Sequence, residues 1–328
     1  MQTPSEIPLK ADWAGRSAAK RRSVFGNYKG ERDETKANSR AAGNGNVTNA
    51  ATSLGEGNSR DQTNRGLGTL QSSIDEAVAR SFIYRFIAKV FEDPSEENWS
   101  RLTEVGLQQA LRISAKALGR ALQASLEEAV QRLLTRLKPE AYHGFKLEYN
   151  GAFGHAARGL CPLNEIEYGD LKADPLFQPH RLADLAAFYQ AFGLEVSDDA
   201  AERHDHICVE LEFMSVLVAK EAYALELQLE EELLTRALNA QKSFLREHLG
   251  RWTLSFTRRL ERMVSHENPL GALATLTREF IAAECARFGI TLGSEELLLR
   301  PVDAAAESLC SSCGLNNLPP GALRTESL

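Results

Sequence analysis

Long apolar runs are missing from this chain. No stretch of its 328 residues approaches the roughly 20 uninterrupted apolar residues that span a bilayer. The most apolar segment, Leu182 to Leu194, is broken by Asp184 and Gln190. That excludes stable membrane insertion through a helix. Cysteine is scarce. Five residues, odd in number and unevenly spaced, cannot form a disulfide framework and leave at least one thiol unpaired. A reducing cytoplasm is the expected setting. Positive charge is also short: 38 Lys and Arg face 45 Asp and Glu, a net charge of −7. A nucleic-acid partner held by bulk phosphate neutralisation is thereby excluded. The sequence has no Walker-type phosphate loop, no Gly-x-Ser-x-Gly elbow and no Gly-x-Gly-x-x-Gly turn. No paired acid–base carboxylates stand out. The chain is not expected to be an enzyme, and no cofactor is implied.

What is there is unevenly distributed. Length alone suggests about two domains. Residues 1–70, however, hold 11 Lys and Arg against 7 Asp and Glu, or +4, which leaves −11 on the rest of the −7 chain. This first part is rich in Gly, Asn, Ser and Thr, and its only aromatics are Trp13, Phe25 and Tyr28. Such a composition buries too little apolar surface to offset its ordering entropy, so residues 1–71 are expected to be a disordered tail. Within it, Lys20-Arg21-Arg22-Ser23-Val24-Phe25 looks like the twin-arginine core of an export signal. The polar run Gly26 to Asp33 follows where an export signal needs an apolar region, so an export signal is not expected. The piece from Trp13 to Tyr28 is either a solvated tail or a short docking motif.

From about residue 73 the pattern becomes helical. Ile74, Ala77, Val78, Phe82, Ile83, Phe86, Ile87, Val90 and Phe91 recur at spacings of three and four. Asp93-Pro94-Ser95-Glu96 reads as a helix start with Asp93 as cap. Further helices are expected at about 107–137, 139–154, 180–192, 205–225, 228–249, 251–265 and 269–288. Gly193 suits a C-terminal cap, and Pro269 suits a first turn. Sustained period-two alternation is absent. The expectation is an all-α fold: one helical-bundle domain over 72–290, then a flexible tail over 291–328.

Two irregular segments interrupt the helices, 156–179 and 195–204. Long loops inside a compact helical domain often carry function. The second is acidic, with Glu195, Asp198, Asp199, Glu202 and Asp205. An acidic rim can orient a basic peptide. The alternative is a solvated loop in which Asp205 caps the next helix.

Specific motifs now come into view. Tyr149-Asn150-Gly151-Ala152-Phe153 resembles the Tyr-x-x-Leu-Phe element of the TorD/DmsD/NarJ family, the maturation chaperones of molybdoenzymes. Glu165-Ile166-Glu167-Tyr168 resembles the end of that family's Pro-Tyr-Glu-x-x-Tyr loop. Leu182 to Leu194 looks like the helix before its acidic loop. Glu202-Arg203-His204-Asp205-His206 is similar to its Glu-x-Pro-Asp-His motif. Glu210 to Met214 and His248-Leu249-Gly250-Arg251-Trp252 continue the match, which spans roughly 75–290 in order. His204 replaces the usual Pro, Asn164 the first Tyr of the loop, and Ala152 the Leu.

The resemblance implies a TorD-like bundle. Its expected partner is the apo catalytic subunit of a molybdenum oxidoreductase, bound at an N-terminal signal peptide. An apolar groove between helices suits the apolar part of such a peptide, and carboxylates suit its guanidinium forks. Tyr149 and Phe153, four apart on a helix, are placed at the groove or in plain core. Glu165 and Tyr168 belong to the same candidate site. Glu202 and Asp205 are the candidate cationic end. His206 either tunes that end by titrating near neutrality or pairs with Glu210 at i, i+4.

Other readings stay open beside this one. A helical adaptor could instead recruit a partner through the basic tail. A homodimer is compatible with a bundle carrying long hinge loops. Cys310-Ser311-Ser312-Cys313 is a lone CxxC, and His204, His206, Cys208 and Cys161 make at best a weak metal set. No metal is expected.

Overall fold

Apolar spacing of three and four builds the helices, and their buried faces decide how they pack. The computed structural model describes residues 56–118, 120–154, 159–169, 177–197, 202–265 and 267–300. The Lys20 to Phe25 segment and the Cys310–Cys313 pair lie outside the described residues. Helix α1 runs Glu56–Phe91. Ile74, Ala77, Ile83, Phe86, Ile87, Val90 and Phe91 are buried along it, and Val78 and Phe82 pack at the edge of the core. Its start at Glu56 falls inside the stretch expected as tail.

Asp93 is not the next cap. Ser95 holds that place, its Oγ accepting from the Asn98 N–H at 3.1 Å, and α2 spans Glu96–Leu102. Glu96 and Glu97 then sit in the first turn, where negative charge suits the helix dipole. The long helix expected over 107–137 is two: α3, Val105–Ala117, and α4, Arg120–Arg136. Leu118 breaks it with extended backbone (φ −77°, ψ 149°), while its side chain stays in the core. A short 3-10 turn, Pro139–Ala141, leads into α5, Tyr142–Phe153.

Helix α6 covers Phe177–Ala191. It ends as expected at Gly193, whose φ of 72° is left-handed. Leu194 N–H bonds back to Tyr189 O at 3.0 Å and Gly193 N–H to Gln190 O at 2.9 Å, a Schellman closure. Helix α7 is Ile207–Glu226 and α8 is Glu231–Phe244. A π turn over Leu245–Leu249 joins α8 directly to α9, Gly250–Met263. Helix α10, Pro269–Arg287, starts with Pro269 in its first turn and Asn268 as cap.

Helix α1 lies along α7; α10 packs on α4 and α9; α3 touches both α1 and α4. Among the described residues no strand forms, so the all-α expectation holds. One polar knot ties four helices together in the core. The Arg80 guanidinium on α1 donates to Glu284 on α10 at 2.7 and 2.8 Å, to Glu221 on α7 at 2.8 Å and to Gln241 on α8 at 2.7 Å. All four side chains are buried. An Arg fork satisfied on every side is the form in which such a charge survives in a core.

Residues 291–300, expected as part of a loose tail, are tied down. Gly293 N–H reaches Gly250 O at 3.0 Å, Gly169 N–H reaches Leu298 O at 2.9 Å, and Arg300 N–H reaches Glu167 O at 2.9 Å.

Candidate functional site

Three short irregular segments meet where α6, α7 and α9 converge, the middle one carrying a 3-10 turn over Glu165–Glu167. Residues 163–169 form the middle one. On one side Glu165 N–H donates to Asp205 O and Ile207 N–H to Leu163 O, both at 2.9 Å. On the other side Tyr168 pairs with Leu299 across an isolated bridge. Residues 163–169 are therefore joined to residues 205–207, and residues 297–300 close the unit.

Glu165 is the centre of that unit. Its carboxylate is fully buried and accepts from His248 Nδ1 at 3.0 Å, from Arg251 Nη2 at 3.0 Å and from Arg181. Burial alone would raise its pKa. The hydrogen bond and charge of His248, then Arg181 and Arg251, outweigh burial and hold the carboxyl well below the usual range. The π turn matters here. It inserts one residue into the helix, and His248 at its end and Arg251 in the next turn both face Glu165.

Tyr168 is also fully buried. Its hydroxyl donates to Pro162 O at 2.7 Å, and its ring packs on Trp252 at 5.2 Å between centroids. Tyr149 and Phe153 are core residues, not the walls of an open groove. They meet edge to face at 4.6 Å, Phe153 packs on Phe91, and the Tyr149 hydroxyl donates to Phe91 O at 2.8 Å. Their helical spacing points inward because α5 backs onto the end of α1.

Asp205 is not the cap that its place before α7 suggests, nor does it face solvent. It is fully buried, takes a fork from Arg203 at 2.8 and 2.9 Å, and accepts from Ile166 N–H and Asn164 Nδ2 at 3.2 Å each. The cap of α7 is His206, whose Nδ1 accepts from Cys208 N–H at 3.2 Å. An accepting ring nitrogen must be unprotonated. Burial, with Arg203 adding and Asp205 opposing, lowers the His206 pKa to about 4. His206 therefore does not titrate near neutrality. Nor does it pair with Glu210, which is fully buried and accepts from Trp252 Nε1 at 3.1 Å. Burial first, then the charge of Glu165, push the Glu210 carboxyl well above the usual range.

Glu202 is half-buried and lies near Glu92 at the end of α1 and Glu212 on α7. Burial raises the Glu92 pKa; Lys89 opposes this, and the charges of Glu212 and Glu202 add to it. A cleft of about 170 Å³ is lined by Ala186, Tyr189, Gln190, Leu194, Glu195, Val196 and His204. His204 stacks on Tyr189 with planes 9° apart, and the Tyr189 hydroxyl donates to His204 O at 2.7 Å. That volume is below the roughly 300–1,000 Å³ of small-molecule pockets, so it suits one side chain of a peptide.

Sequence reasoning missed Arg181, Arg300 and the cleft itself. It quoted His248 and Arg251 only as part of a motif. Their signal was present: a His and an Arg three apart between apolar helix residues. Cys208 Sγ contacts Ala88 O at 3.3 Å, while Cys161 Sγ lies 3.7 Å from the Tyr168 hydroxyl. Among the described residues no group of His, Cys, Asp or Glu is arranged to hold a metal ion.

A family model described as nitrate reductase delta subunit matches residues 120–258, the stretch from the start of α4 into α9. A selenate reductase assembly chaperone protein of Thauera selenatis is 31% identical over 192 residues, covering 58% of this chain and 82% of that protein. A chlorate reductase assembly chaperone protein of Ideonella dechloratans is 28% identical, covering 58% and 82%. A perchlorate reductase assembly chaperone protein of Dechloromonas aromatica (strain RCB) is 26% identical, covering 55% and 76%. No solved structure matches the chain significantly. Identity at this level along most of a relative's length, on a helical scaffold whose loops carry the Glu165 to Tyr168 and Glu202 to His206 motifs, places the chain in the NarJ/TorD-type family of molybdoenzyme assembly chaperones, which are not catalysts.

Proposed function

We propose that this chaperone holds the apo catalytic subunit of an oxyanion-reducing molybdenum oxidoreductase, of the DMSO-reductase type, until its molybdopterin is inserted. It does so in the cytoplasm by gripping an N-terminal peptide of that subunit. The observation that carries the reading is the cleft at the end of α6, large enough for one side chain and with the Glu195 carboxylate in its lining. Its apolar floor is Leu194 and Val196, Glu195 supplies the acidic side, and Glu202 stands two residues before the lining residue His204. A peptide with an Arg-Arg pair next to apolar residues matches that pattern in both charge and polarity.

The other candidate residues act through this cleft. Glu165, Tyr168, Asp205 and His206 fix the loops that form its edge. Tyr149 and Phe153 hold α5 against α1 and α9 behind it. The test is direct. A labelled synthetic peptide with an Arg-Arg pair and an apolar stretch is titrated against the full chain by fluorescence anisotropy. Binding should weaken by about tenfold or more in a Glu195→Gln/Glu202→Gln variant, and rising salt should weaken the parent. Salt-independent binding that survives the double change would remove the cleft from the site. At the level of the cell, a deletion strain should accumulate one oxidoreductase subunit without its cofactor. Normal maturation there would refute the chaperone's assigned client class.

A further inference from the structure

We propose that the chain carries its own occupant for the cleft. The segment Lys20-Arg21-Arg22-Ser23-Val24-Phe25 docks there, with Phe25 between Leu194 and His204 and with Arg21 and Arg22 against Glu195 and Glu202. The inference rests on the peptide-binding reading of that cleft and extends it to regulation.

Three observations lead to it. The first is charge. Residues 1–55 hold nine Lys and Arg against five Asp and Glu, or +4, while the segment 195–206 carries Glu195, Asp198, Asp199 and Glu202 beside the Arg203–Asp205 pair, which cancels within itself. The second is shape. The cleft accepts about one side chain, and Phe25 stands three residues after the Arg pair, so it can enter while both guanidinium groups reach the rim. The third is reach. Thirty residues separate Phe25 from Glu56, where α1 begins, and such a length extends to about 100 Å at most. The 36 residues of α1 rise about 54 Å, and Glu92, the residue after α1, lies within electrostatic range of Glu202. The connection therefore spans the distance with length to spare.

Tethering makes a weak contact sufficient. A linked segment has an effective concentration of about 1 mM, so an intrinsic Kd of about 100 µM keeps it bound for about nine-tenths of the time. A client displaces it because a true signal adds an apolar stretch after the Arg pair. This chain has Gly26-Asn27-Tyr28-Lys29-Gly30 there instead. The segment thus covers the cleft when no client is present and cannot itself be a tight ligand.

The experiment compares two full-length proteins, the parent and Arg21→Gln/Arg22→Gln/Phe25→Ala. Both are titrated with the labelled Arg-Arg peptide. The variant should bind about tenfold more tightly, since the competitor is gone. A photo-crosslinking residue at position 25 should mark residues 186–204 of the same molecule and lose that yield when free peptide is added. Equal affinity of parent and variant would overturn the inference and leave the function reading standing. No binding by either protein would overturn the function reading, and the inference with it. Cross-links found only between two molecules would overturn the internal occupant.

Discussion

Glu165 shows how much a single residue can hold. It is buried against Arg181, Arg251 and His248, so Glu165→Ala leaves those three side chains without their shared carboxylate. The expected cost is about 3–5 kcal/mol, read as a lower urea midpoint. Because its folded pKa is depressed, its contribution is complete above the unfolded value near 4.5 and is lost as pH falls below that. His206 adds a second, higher window. Its pKa drops from 6.5 to about 4 on folding, so the unfolded chain binds the extra proton. Stability from His206 is full above pH 6.5 and falls between 6.5 and 4. His206→Asn keeps a cap acceptor and should flatten that part of the profile, measured by urea unfolding at pH 7.5 and pH 4.5. Glu165 and His206 could be picked out in the sequence because they sit in ordered motifs. Their partners could not, since Arg181, His248 and Arg251 are distant along the chain and meet Glu165 only after α6 and α9 are placed. Asp205 misled for a related reason. An Asp before a helix reads as a cap, and nothing local reveals that two backbone segments will enclose it.

At the scale of elements, helix type was legible and helix ends were less so. The apolar spacing that marks α1 from Ile74 to Phe91 is the face it buries. Gly193 and Pro269 stand where the backbone requires them. The break at Leu118 was hidden because the apolar period continues across it. The π turn was hidden because Gly250 reads as a stop, whereas it stays helical (φ −68°, ψ −19°) and packs under Leu245 O and Cys285 Sγ. The strap 291–300 was read as tail for want of any period. It has a clear point of weakness. A Cβ on Gly293 would overlap the Arg251 backbone, so Gly293→Ala should lift the strap from α9. Limited proteolysis should then cut between 290 and 300 at rates the parent does not show, and Tm should fall by several degrees.

The whole molecule divides by charge: +4 on residues 1–70 and −11 on the remainder. Within the helical part, Arg80 joins α1, α7, α8 and α10 at one point. Arg80→Met would bury Glu284 without its cation and leave Glu221 only the more distant Arg287 at 3.6 Å, and should cost about 3–5 kcal/mol in chemical denaturation. A double variant that also makes Glu284→Gln should recover part of that loss. The three thiols of the described residues sit at different places in this architecture: Cys161 beneath the 163–169 segment, Cys208 where α7 faces α1, and Cys285 where α10 meets Gly250. All are buried, and burial pushes the thiols of Cys161 and Cys285 up to about 12. A thiol reagent can therefore reach each one only when its own region opens. With Cys310 and Cys313 changed to Ser, the three labelling rates become three separate clocks. They time the lifting of the loop, the parting of α1 from α7 and the release of α10, and they tell which of these a bound client slows.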